Sequence, residues 1–122
     1  MKVEPACMMN NIALDPATEQ AAKLFLSSLA GKFDWASAIL FGSRARRAFQ
    51  PDSDADVALV LRGEPQRFLP TKLALADIAF DVMLETGIRI QPFPIWEDEW
   101  HHPEAYSNPR LLENIAREGV RL

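Results

Sequence analysis

A single cysteine, Cys7, stands in a chain of 122 residues. No internal disulfide and no thiolate metal cluster can be built from it, which suits a reducing cytosol. Positive charge is also scarce: 13 Lys and Arg against 17 Asp and Glu leave a formal net charge of −4. A protein that grips nucleic acid non-specifically needs a basic face, so this balance argues against that partner class. No apolar run approaches the roughly 20 residues of a membrane span. The opening Met1-Lys2-Val3-Glu4-Pro5 has no apolar region of a secretory signal. Internal repeats and low-complexity stretches are missing too. What remains is an ordinary globular composition, 48% hydrophobic and 25% charged, in a length that suits one domain. The expectation is a single cytoplasmic domain over 1–122, with 1–14 as a loose lead-in.

The hydrophobic spacing places short helices between strands. Asp15-Pro16 reads as N-cap and first helical position, and Ala21, Leu24, Phe25 and Leu29 follow at helical spacing to Gly31. Residues 35–41 form an apolar run ending in Gly42-Ser43, a strand entering a turn, and 44–49 suit a short helix after it. Residues 54–61 alternate as a strand, with Asp54, Asp56, Ala58 and Val60 on one face and Val57, Leu59 and Leu61 on the other. A helix is expected over 71–86, with Leu73, Ala76, Phe80, Met83 and Leu84 as its apolar stripe and Asp77, Asp81 and Glu85 as a solvated acidic line. Residues 88–95 read as a strand pushed to the sheet edge by Pro92 and Pro94, which lack the donors a ladder needs. A helix over 97–106 and a final one after Asn108-Pro109 complete the order, the last with Leu111, Leu112, Ile115 and Ala116 inward and Gly119 as its stop. Alternating helices and strands give the class α/β or α+β, a small sheet flanked by helices.

The segment from Leu40 to Val57 carries the chemistry. Gly42 removes a side chain where the chain turns, so the backbone can approach a ligand closely. Ser43 offers a hydroxyl and an N–H where a helix would begin, a position that suits phosphate. Arg44, Arg46 and Arg47 add cationic donors matched to phosphate oxygens. Asp54 and Asp56, two apart on a strand, point the same way, so their carboxylates converge and repel unless a cation lies between them. Such oxygen ligands suit Mg²⁺, which takes one or two carboxylates plus substrate phosphates. A phosphate cradle followed by a metal-binding Asp-x-Asp is a pattern for nucleoside triphosphate chemistry.

Gly42-Ser43, Gly-Ser-Arg-Ala-Arg at 42–46, Pro51-Asp52-Ser53-Asp54 and Asp54-Ala55-Asp56 resemble the signature of DNA-polymerase-β-like nucleotidyltransferases. The similarity is to the minimal nucleotidyltransferase branch, and the ending from Pro109 to Gly119 agrees with it. The resemblance implies a mixed sheet flanked by helices, with Mg²⁺ on Asp54 and Asp56. It also implies ATP or another nucleoside triphosphate at Gly42 and Ser43, assisted by Arg44 or Arg47. The implied reaction transfers a nucleoside monophosphate, AMP from ATP, to a hydroxyl and releases pyrophosphate. Small members of the branch resemble antitoxins paired with a helical HEPN-like toxin, some of which they modify with AMP. The family also places a third carboxylate on a later strand, and the aligned position here is Gln91. An amide takes no proton from a hydroxyl and is a weaker metal ligand. The alternative reading is therefore a weak or inactive nucleotide-binding module that neutralises a HEPN-like partner by binding. A homo-oligomer is open on the sequence.

Other residues read as structure. Trp35 is expected in the core; Trp96 and Trp100, four apart, are expected on one helix face as core cover, with a partner contact as the alternative; and adjacent His101 and His102 diverge too far to share a metal.

Overall fold

The computed structural model describes residues 14–46 and 48–122. Helix α1 (Pro16–Leu29) opens as the sequence predicts: the Asp15 side chain accepts from the Thr18 N–H at 3.1 Å, and Pro16 needs no donor at the first position. Strand β1 (Trp35–Phe41) pairs antiparallel with β2 (Ala55–Leu61), and β2 pairs in parallel with β3 (Ile90–Trp96) through the crossover helix α2 (Phe68–Thr86). After β3 come α3 (Glu97–His101), a short 3₁₀ turn (Pro103–Ala105) and α4 (Pro109–Glu118). A closing strand β4 (Val120–Arg121), which the sequence did not announce, pairs antiparallel with β1. Strand order is β3-β2-β1-β4, so the mixed sheet expected from the sequence is present and β3 is an edge. Its two prolines suit that edge, where no ladder donor is required.

Helices cover both sheet faces. Phe25 and Leu29 of α1 and Leu75, Ala79 and Val82 of α2 pack with Leu40, Val57 and Leu59. On the opposite face, Leu112 and Ile115 of α4 pack on Ile39, Ala58 and Ile95. Phe25 is fully buried, and truncating such a side chain to Ala removes about 3–5 kcal/mol. The N-cap of α4 is also as expected, with the Asn108 side chain accepting from the Leu111 N–H at 3.3 Å. Ala116, expected inward, is exposed.

Two expectations are corrected by packing. The expected stripe of α2 is not its core face: Leu73, Phe80 and Leu84 are exposed, while Leu75, Ala79 and Val82 are buried. Residues 68–86 carry apolar positions nearly all round, so tertiary contact rather than the pattern selects the inward side. The acidic line Asp77, Asp81 and Glu85 is exposed as expected. Residues 44–46 form a turn rather than the start of a helix. The Gly42 carbonyl accepts from the Ala45 and Arg46 N–H groups, both at 3.2 Å, but Pro51 biases Gln50 away from helical geometry and the coil stops. Trp96 and Trp100 both cover core, yet on opposite sides of the sheet.

Candidate functional site

At one end of the sheet the register of three strands gathers polar groups. Phe41 of β1 pairs with Asp56 of β2, and Asp56 pairs with Gln91 of β3. Paired positions share a face, so Phe41, Asp56 and Gln91 stand in a row. Asp54 lies just ahead of β2, close enough for its charge to act on Asp56. Gly42 follows Phe41 at φ +81°, a conformation that L side chains rarely adopt. The space matters as much as the torsion: a Cβ on Gly42 would collide with Oδ2 of Asp56. The turn thus exists in this form only because the residue before Ser43 has no side chain.

Electrostatics within this group are unbalanced. Burial pushes the Asp56 carboxyl above the usual carboxylate range, and the neighbouring Asp54 charge pushes it further; Lys72 and Arg46 pull it back. Asp54 also meets Arg89, with Nη1 3.9 Å from Oδ1. This donor set fits a divalent cation. Two carboxylates that repel each other gain from a shared positive charge, and hard oxygens on one face leave room for phosphate and water ligands. Among the described residues, no group of three His, Cys, Asp or Glu is placed to hold a metal. Gln91 is the neutral side chain beside the pair.

The turn after Gly42 offers donors. Among the described residues, the Ser43 and Arg44 N–H groups donate to no backbone carbonyl, whereas the Ser43 carbonyl accepts from Ala48 at 3.0 Å. Spare amides in a tight turn suit an anion. No regular helix follows, so the helix dipole expected there contributes little.

The arginines divide. Arg44, expected at a triphosphate, is 2% exposed. Its Nε donates to Ser53 O at 2.9 Å, and Nη1 and Nη2 donate to Thr18 Oγ1 at 2.8 Å and Pro51 O at 3.0 Å. Its other contacts are Asp15 Oδ2 at 4.0 Å and the Phe49 ring, 4.5 Å from the guanidinium. Arg44 therefore braces the 49–53 loop against the start of α1. Arg46 is exposed and lies 3.7 Å from Glu118 Oε1. Arg47 lies outside the described residues.

Lys72 and Arg89 were missed by the sequence. The Lys72 ammonium donates to Pro92 O at 2.7 Å and sits 4.5 Å from the Phe93 ring centroid. Burial pushes its pKa down and the Asp56 charge pulls it up. Phe93 in turn meets Phe41 edge-on, with ring centroids 5.3 Å apart. The only signal was a lone cation in the apolar first turns of α2. Arg89 gave none, because a single exposed arginine before a strand has no pattern.

Cavities do not all follow the chemistry. The larger groove, about 610 Å³, lies between α1 and α2 and is lined by Gln20, Lys23, Leu24 and Glu85, away from the carboxylates. A groove of about 330 Å³ between α2 and β3 includes Lys72, Arg89 and Gln91 and so borders the site.

The sequence as a whole finds no match among curated proteins. The structure is similar to the crystal structure of a protein from Sulfolobus solfataricus assigned as a nucleotidyltransferase. The two share 20% identity and a TM-score of 0.49 over 83% of this chain and 82% of that one. At that distance the likeness carries no argument. The family comparison does: the sequence model of the nucleotidyltransferase domain matches residues 22–112, more than half the chain, from within α1 to the start of α4, and so includes Gly42, Ser43, Asp54 and Asp56. The chain belongs to the nucleotidyltransferase-domain family.

Proposed function

We propose that this protein transfers a nucleoside monophosphate, AMP from ATP, to a hydroxyl of a partner protein. The observation that carries the reading is the placement of the Asp56 carboxylate, beside Asp54, in the space left by the missing Cβ of Gly42. Asp54 and Asp56 hold Mg²⁺, and the amides around Ser43 receive phosphate oxygens. The metal, when bound, supplies charge stabilisation to the transferring phosphoryl group. A bond forms between the acceptor oxygen and the α-phosphorus, the bond to the α–β bridging oxygen breaks, and pyrophosphate leaves. Gln91 takes no proton, so the acceptor's proton passes to a phosphate oxygen of the substrate or to water. The reading extends to a cytoplasmic antitoxin whose partner is a small helical HEPN-like toxin.

Gln91 beside Asp56 favours a second reading, a nucleotide-binding module that neutralises such a partner by occupancy. Two experiments separate them. Titration with Mg²⁺-ATP should show binding that is lost in Asp54→Asn/Asp56→Asn; unchanged binding removes the site assignment. Incubation with labelled ATP and the purified HEPN-like protein should transfer label in the wild type alone. Neutralisation that survives the double substitution, without transfer, selects the binding module.

A further inference from the structure

Helix α2 carries a pattern that the fold does not use. Leu69, Leu73, Ala76, Phe80 and Met83 recur at alternating steps of four and three, the spacing of a coiled-coil seam. The seam faces away from the core: Leu69, Leu73 and Phe80 are 61%, 58% and 55% exposed. Leu84 widens it, and Ala76, Phe80 and Met83 continue it into the groove beside β3. A contiguous apolar surface of this kind marks an interaction site.

Its charged margins say what covers it. Lys72 and Arg89 border the seam on the β3 side. Asp77 and Asp81 border it on the other, one and two turns along the exposed face of α2. Margins of opposite sign are self-complementary under a twofold axis parallel to the helix, which sets the basic margin of one copy against the acidic margin of the other. In a parallel pair the residue before a seam position faces the residue five further on in the partner, so Lys72 meets Asp77 of the partner subunit. Lys72 has donors to spare, because one of its three goes to Pro92 O. An antiparallel pair would set like charges together.

We propose that α2 is a dimerisation element, pairing in parallel with α2 of a second copy through Leu69, Leu73, Phe80 and Met83. The pairing does not depend on nucleotidyl transfer. Sedimentation equilibrium of the full chain tests it. Twice the chain mass is expected for the wild type. A single mass is expected for Leu73→Glu/Phe80→Glu, with an unchanged circular dichroism spectrum because both side chains are exposed. Asp77→Lys alone should raise the dimer dissociation constant about tenfold, and Lys72→Glu in the same chain should restore it. A monomeric wild type, a dimer indifferent to Leu73→Glu/Phe80→Glu, or a failure of the charge exchange to restore association overturns the proposal.

Discussion

The Asp56 carboxylate lies where a side chain on Gly42 would stand. Two strands therefore meet at this end of the sheet with an acidic group filling the space of an absent methyl. The positive φ of Gly42 and the position of Asp56 are one constraint.

Gly42→Ala should accordingly act through Asp56. The left-handed torsion alone costs roughly 1–2 kcal/mol, and the added methyl must also displace the carboxylate. The expected result is a protein that still folds, with Mg²⁺-ATP affinity down about tenfold or more, since a displaced ligand loses at least about 1.4 kcal/mol. Combining it with Asp56→Ala checks the coupling by thermal melts. In the double variant the glycine substitution should cost less stability than in the wild type, because the colliding carboxylate is gone. Additive effects would place the strain elsewhere.

The raised pKa of Asp56 fixes the sign of a pH effect. Because the folded state holds this carboxyl above its unfolded value, its ionisation destabilises the metal-free fold. The contribution to stability is present below the ordinary carboxylate range and is lost as pH rises through the raised value. Asp56→Asn should therefore raise the metal-free melting temperature at neutral pH, and that gain should vanish in acid. Metal binding opposes the trend, so added Mg²⁺ should stabilise the wild type at neutral pH and leave Asp56→Asn nearly unmoved. Melting curves across pH, with chelator or Mg²⁺, read both arms.

The sequence signals that hold in the structure are the short-range ones. The Asp15 and Asn108 caps are local signals and both appear in the structure, whereas Asp54 lies one residue ahead of β2, so strand alternation places only Asp56 of the pair. The inward side of α2 was misread because Leu73, Phe80 and Leu84 are as apolar as Leu75, Ala79 and Val82, and only contact with α1 and the sheet separates them. Arg44 was read from its chemistry beside Ser43, yet its acceptors on Thr18 and Pro51 come from elsewhere in the chain. Lys72 reaches the site across the edge strand, a route that no spacing announces.

Lys72 offers a separable electrostatic test. Its charge lowers the Asp56 pKa against burial and Asp54, so Lys72→Met should move that pKa higher. The acid limb of Mg²⁺ binding should shift to higher pH, while affinity on the alkaline plateau changes little. Titrations of Mg²⁺ binding over a pH series provide the measurement. A uniform loss of affinity at every pH would mean that Lys72 touches the ligand directly.

Arg44 should behave as a brace. The residue is 2% exposed, and its guanidinium donates to Thr18 Oγ1, Pro51 O and Ser53 O. Arg44→Ala leaves those acceptors without their donor and opens a cavity beneath the 49–53 loop. Leaving a buried acceptor without its donor costs about 1–3 kcal/mol, a large part of a small domain's stability when several are lost together. Arg44→Lys should recover only part of this, because one ammonium on a flexible stem cannot reproduce a planar fork aimed at separated acceptors. Chemical denaturation should show the loss in both variants, larger for alanine. The discriminating readout is Mg²⁺-ATP affinity in the folded fraction of Arg44→Lys. A residue that contacts phosphate would lose affinity in proportion to its lost hydrogen bonds, whereas a brace leaves affinity near the wild-type value once folding is corrected for.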